Sequence, residues 1–154
     1  MIAIRTGKPE DLDTLFSFQL AMAAESEDIA LDQDTLRAGL RTVLVSVELG
    51  TYYLAEDSST GEALGCLLVT REWSDWRNGH VWWIQSVYVP PAHRQRGIYR
   101  QLYAHLQELA RGNETVVGIR LYVEKDNLRA RDVYKKLGMN EERYLVCEWL
   151  KTGH

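Results

Sequence analysis

The stretch VYVPPAHRQRGIYRQLYAHL, Val87 to Leu106, decides the fold. It opens with strand formers, and Pro90 and Pro91 stop them because a proline nitrogen cannot donate to a sheet ladder. Beyond the stop, Ile98, Leu102, Leu106 and Leu109 recur at helical spacing, and Gly112 suits the helix end. Between strand and helix, Arg94, Arg96 and Arg100 crowd around Gly97. A helix start offers unpaired N–H groups and the positive end of the helix dipole, so this junction suits an anion. Gly97 lets the backbone approach that anion without a Cβ in the way, and a pyrophosphate is the natural guest. A solvated basic loop is the plain alternative. The chain lacks both GxxxxGK[ST] and GxGxxG, so the turn is neither a Walker loop nor a dinucleotide fingerprint.

The same patterning extends in both directions. Upstream, Ile2 to Arg5 reads as a strand, and Pro9, Glu10 and Asp11 open a helix along Leu12, Leu15, Phe16 and Gln19. A second helix is expected over about Gln33 to Leu44. Tyr52 to Glu56 and Ala63 to Arg71 flank the turn signal SSTGE and predict a hairpin. Val81 to Val89 is nearly continuous in apolar residues, which suits a strand buried on both faces. Downstream, Val116 to Glu124 alternates as a strand, about Asn127 to Leu137 reads as a helix ending at Gly138, and Tyr144 to Trp149 closes as a strand. The order β, α, α, strands, then β-α-β-α-β is an α/β domain with a mixed sheet.

Composition narrows the function classes. The 154 residues suit one domain spanning 1–154, and no repeat or linker divides them. The net charge of -4 argues against a protein that coats nucleic acid. No apolar run is long enough for a membrane, and MIAIRTGKPEDL is no signal peptide, so a cytoplasmic protein is expected. Cys66 and Cys147 sit in apolar, strand-like surroundings and read as reduced core thiols. His80, His93, His105 and His154 show no metal-ligand spacing, so no metal is expected.

Residues Val87 to Leu106 resemble the acyl-CoA-binding segment of the GNAT superfamily of N-acetyltransferases, a strand followed by [RQ]-x-x-G-x-[GA] and a helix. NLRARDVYKKLGM, Asn127 to Met139, is similar to the family's second signature, with Asn127, Ala130, Tyr134, Gly138 and Met139 on its positions. Tyr99 stands where the family carries a second small residue. The resemblance implies a mixed, mostly antiparallel sheet, splayed at the acyl-CoA site and flanked by about four helices. It also implies acetyl-CoA as cosubstrate and a primary amine as acceptor. Val87, Tyr88 and Val89 would offer backbone groups to the pantetheine arm, with a bulge near Gln85–Ser86 opening the gap. Arg94, Gln95, Arg96, Gly97, Ile98 and Tyr99 would hold the pyrophosphate, and Asn127 and Ala130 would meet the cofactor. Asn127 is equally suited to cap the following helix.

Tyr134 is the implied general acid toward the departing thiolate. A phenol at about pKa 10 can protonate a thiolate whose thiol lies near about 8.5. The base is harder to place, because Val81 to Val89 contains no acid. Glu72 is the foremost candidate, with Asp75, Glu25 and Glu27 behind it and water at Gln85 or Ser86 as a further route. Trp73 and Trp76, with Gln85, form the candidate acceptor site, because aromatic faces attract cationic amines. A homodimer surface is the other role open to that tryptophan pair. Without a working base, the chain would instead be a non-catalytic acyl-CoA-binding module. A phosphate-binding protein using the Gly97 junction alone is a third class, against which the Asn127 to Met139 motif counts.

Overall fold

The computed structural model describes residues 1–26, 29–141 and 144–151. The chain forms two compact units, Met1–Tyr122 and Val123–His154. The first is a five-stranded sheet in the order β1-β2-β3-β4-β5. Its strands are β1 (Ile2–Thr6), β2 (Thr51–Asp57), β3 (Ala63–Ser74), β4 (Gly79–Tyr88) and β5 (Val116–Leu121). The first four pair antiparallel, and β5 joins β4 in parallel. With helices on both faces, this is the α/β, mostly antiparallel mixed sheet that the sequence predicts.

Helix α1 (Leu12–Ser26) follows a short 3₁₀ turn, Pro9–Asp11, and α2 (Gln33–Val45) follows with Asp32 as its cap. The Asp32 side chain accepts from the Thr35 amide at 2.8 Å and so satisfies one orphan donor. The two helices cover one sheet face, where Leu15 and Leu40 pack with Tyr52, Leu54, Cys66 and Tyr88. The cross-strand register Leu54↔Cys66↔Tyr88 explains why these side chains share a face. Helix α3 (Ile98–Arg111) covers the opposite face, with Ile98, Leu102, Tyr103 and Leu106 buried and the His105 ring against Tyr53 at 5.7 Å. At the sheet edge, Arg5 grips Asp11 with two bonds of 2.8 Å and Glu56 with one of 2.7 Å, locking β1, the 3₁₀ turn and β2 together.

The second unit holds α4 (Leu128–Lys136). Asn127 caps it, accepting from the Ala130 amide at 3.1 Å. Gly138 ends it at φ 85°, and the Met139 amide bonds the Tyr134 carbonyl at 3.0 Å, a closure that a left-handed residue permits. Arg131 clamps Glu141 through two bonds of 2.8 Å, which holds that carboxyl down at about 2.

Three expectations are corrected. Strand β5 stops at Leu121 rather than Glu124. Residues 144–149 form no strand, and Tyr144, Leu145, Val146 and Trp149 are exposed. Strand propensity is realised only where a partner supplies ladder hydrogen bonds, and the local pattern cannot supply one. Cys147 is accordingly exposed, whereas Cys66 is buried and its thiol is pushed up to about 12 by desolvation. Among the described residues, no helix is long and apolar enough to cross a membrane, and no cluster of metal-binding side chains occurs.

Candidate functional site

Strand β4 builds the site by leaving its neighbour. The parallel pairing with β5 ends at Ile84↔Leu121, while β4 runs on to Tyr88 paired with β3. At the departure point the β3 register passes from Leu68↔Ser86 to Val69↔Ile84, so Gln85 is the extra residue of a bulge. A bulge bends and twists the strand that carries it. Gln85 turns its side chain to Thr70, donating to that hydroxyl at 2.7 Å. Beyond it, Val87 and Tyr88 carry a length of strand whose β5 side is without a partner strand among the described residues, the kind of edge that an extended chain can join.

The strand then enters the basic turn through the 3₁₀ segment Pro91–His93. Gln95 and Gly97 are both left-handed, at φ 63° and 73°. Gly97 caps α3 with no side-chain hydrogen bond, and a Cβ built on it would meet nothing within 4 Å. The space beside Gly97 is therefore open, and no side-chain oxygen caps the start of α3. That arrangement fits a diphosphate.

The arginines of the turn divide the work. Arg96 donates to His93 Nδ1 at 3.1 Å, and His93 Nε2 lies 3.1 Å from Glu62. The arginine has no acceptor, so Nδ1 accepts and Nε2–H donates to the carboxylate. Arg94 turns away from the helix start: its Nε donates to the Val89 carbonyl at 2.9 Å and its Nη2 to Glu25. Arg100 is exposed on the first turn of α3. Tyr99, the departure from the small residue, is half-buried and stacks along α3 on Tyr103 at 6.2 Å. Its bulk thus lies along the helix flank, compatible with an anion at the helix end.

The candidate acceptor residues do not all meet. Side chains alternate across a strand, so Glu72 and Trp73 point to opposite faces. Glu72 accepts from Trp83 Nε1 at 3.0 Å and pairs with Arg120 at 3.3 Å. Trp83 also stacks on Tyr122 at 4.6 Å. Trp73 instead meets the His80 ring at 5.0 Å, and Trp76 stands 87% exposed at the hairpin tip. Glu72 thus bonds Trp83, which stacks on Tyr122, while Thr70 lies opposite Trp83 and holds Gln85. Sequence reasoning missed this group because Arg120 reaches it only through the parallel register Trp83↔Arg120.

The carboxylates are similarly dispersed. Glu72 lies opposite Val81, roughly 13 Å along β4 from Gln85 at the usual rise of a strand. Asp75 accepts from the Trp76 amide at 3.0 Å in the hairpin turn. Glu25 accepts the Tyr88 hydroxyl at 2.9 Å and binds Arg94, which with Tyr88 holds its carboxyl below the usual range. Glu27 lies outside the described residues. In the second unit, Tyr134 is half-buried on α4, and Asn127 and Ala130 form the cap described above.

Comparison with known proteins agrees with this geometry. The sequence profile of the Acetyltransferase (GNAT) family matches residues 13–139. The crystal structure of a possible acetyltransferase from Clostridium difficile 630 is 37% identical, covers 98% of each chain and superposes with a TM-score of 0.91. Aminoglycoside N-acetyltransferase AAC(6')-Iy in complex with CoA shares the fold at 18% identity, with 98% of this chain and 95% of that one covered and a TM-score of 0.79. A ribosomal-protein-alanine N-acetyltransferase from Brucella melitensis biovar Abortus 2308 does so at 12% identity, with 98% and 100% covered and a TM-score of 0.78. No curated protein sequence gives a significant match.

Proposed function

Because this chain belongs to the acetyltransferase (GNAT) family, we propose that it transfers an acetyl group from acetyl-CoA to a primary amine, the whole chain serving as one acyltransferase domain. The observation that carries this proposal is the continuity of two features on β4. The strand loses β5 after Ile84 and leads, through the 3₁₀ segment Pro91–His93, into the left-handed Gly97 turn that opens α3. Val87, Tyr88 and Val89 would supply backbone groups to the pantetheine arm, although the Val89 carbonyl already accepts from Arg94. The amides of Arg96, Gly97, Ile98 and Tyr99 would cradle the pyrophosphate, with charge from Arg96 and Arg100. Asn127 and Ala130 would act first as the cap that fixes α4.

The thioester brings an activated acyl carbon and a leaving thiolate. The amine nitrogen bonds the acyl carbon as the C–S bond breaks. Before attack the ammonium would shed one proton through water at the Gln85–Ser86 bulge toward Glu72. Tyr134 would give its proton to the thiolate, and the second proton lost by the nitrogen as the amide forms would restore the phenol. The acceptor is expected on the sheet face that carries Gln85, Trp83 and Tyr122. Trp73 and Trp76, on other surfaces, are better suited to a larger acceptor or to a second copy of the chain. Tyr134→Phe is expected to lower kcat by about a hundredfold with little change in KM for acetyl-CoA, as loss of a general acid does.

The alternative, a non-catalytic acyl-CoA-binding module, draws on one observation: Glu25, Glu72 and Asp75 are all already hydrogen-bonded. Two measurements separate the cases. Acetyl-CoA and CoA should raise the melting temperature while ATP does not, because a ligand that binds only the native state stabilises it. Free thiol should then appear from acetyl-CoA in the presence of an amine panel. Stabilisation without thiol release on any amine supports the binding module. No stabilisation by either CoA species at millimolar concentration removes both.

A further inference from the structure

Arg94 sits where three parts of the first unit meet. Its guanidinium donates from Nε to the Val89 carbonyl at 2.9 Å, binds Glu25 through Nη2, and lies 6.0 Å from the centre of the Tyr88 ring. Glu25 closes the circuit by accepting the Tyr88 hydroxyl at 2.9 Å on its other oxygen. Glu25 belongs to the last turn of α1, and Tyr88 is the last residue of β4. The guanidinium is therefore committed to the ends of β4 and α1, and not to the open side of the Gly97 turn.

That commitment has a purpose in the backbone that follows. Arg94 is extended, at φ -65° and ψ 159°, and the next residue, Gln95, is left-handed at φ 63°. A residue with a Cβ holds that conformation only where its surroundings over-determine it. Two residues on, Gly97 repeats it at 73°. The turn thus depends on being anchored from outside, and the Arg94 fork is an anchor on its upstream side. A fork with fixed donor geometry suits this better than a flexible point charge.

We propose that Glu25 is a positioning residue for the acyl-CoA turn: by fixing Arg94 against the end of β4, it holds Gln95 to Gly97 in the conformation whose amides meet the pyrophosphate. Acyl-CoA affinity is thereby tied to the placement of the C-terminal end of α1. Arg94 then contributes to affinity through the shape of the turn, while Arg96 and Arg100 supply charge to the phosphates. The proposal rests on the acyl-CoA reading of the site and assigns Glu25 a role other than general base.

The test is calorimetric titration of CoA into the wild-type chain and the variants Glu25→Gln, Arg94→Lys and the double variant, each at two salt concentrations. Glu25→Gln is isosteric and at an exposed position, and its unliganded melting temperature verifies the fold. The expected result is a loss of CoA affinity of about fivefold in Glu25→Gln, the scale of a well-formed surface ion pair. The salt dependence should stay that of the wild type, because the number of charges on the phosphates is unchanged. Arg94→Lys should lose at least as much although it keeps its charge, and the double variant should lose no more than Arg94→Lys alone. In turnover, KM for acetyl-CoA should rise in Glu25→Gln while kcat holds. Unchanged or tighter CoA binding in Glu25→Gln overturns the proposal, as do additive losses in the double variant. A fall in kcat at constant KM would also overturn it, and would return Glu25 to the candidate bases. Failure of the wild-type chain to bind CoA is a different outcome: it removes the acyl-CoA reading itself, and the proposal with it.

Discussion

Replacing Gly97 by alanine separates what the turn contributes to stability from what it contributes to binding. The residue is left-handed at φ 73°, and a Cβ placed on it meets nothing within 4 Å. The folded protein therefore suffers conformational strain alone, about 1–2 kcal/mol for an L-residue in the left-handed region. For a chain of this size each kcal/mol moves the transition by roughly 2–4 °C, so the melting temperature should fall by about 2–8 °C. Binding should suffer far more. In the proposed complex the space in front of Gly97 holds phosphate oxygens within about 2.9 Å of backbone amides, and a methyl group there would keep them out. A loss of CoA affinity of at least about tenfold is expected, or more than about 1.4 kcal/mol. Differential scanning fluorimetry of the unliganded protein and calorimetric titration of CoA read the two effects independently. Wild-type CoA affinity in Gly97→Ala would refute the placement of the pyrophosphate. A stability loss well above about 3 kcal/mol would refute the claim that strain is the only cost.

Three further outcomes follow from the packing and the charges. Leu102→Ala removes a fully buried side chain from the face of α3 against the sheet, and should cost about 2–5 kcal/mol by chemical denaturation. Asp11→Asn breaks the grip of Arg5, whose hydrogen bond holds the Asp11 carboxyl below its usual range. A depressed folded value contributes stability above the unfolded value and loses it on acidification. The gap between wild type and Asp11→Asn should thus be full near neutral pH, shrink below about pH 4 and close once the folded value is passed. Thiol titration with an aromatic disulfide at pH 8 should modify one cysteine per native chain and two after unfolding. Cys147 is exposed, whereas Cys66 is buried with its thiol pushed up to about 12.

The sequence by itself determined the elements whose information is local. The prolines after Val89, the glycine at the helix start and the apolar face of Ile98, Leu102 and Leu106 set a strand, a turn and a helix that the structure reproduces. Asn127 and Gly138 punctuate α4 for equally local reasons, namely an amide to be capped and a left-handed exit. Tertiary structure alone decided what depends on residues far apart in the chain. Residues 144–149 have strand propensity but form no strand, because pairing needs a partner that propensity does not specify. Glu72 was legible as a carboxylate near tryptophans, yet which tryptophan it bonds was settled by strand alternation and by the parallel register that brings Arg120 to Trp83. Arg94 read as one of three equivalent charges around a glycine. Only the folding of α1 against β4 brings Glu25 to it and turns it toward the scaffold, since an ion pair spanning 69 residues of chain leaves no trace in local pattern.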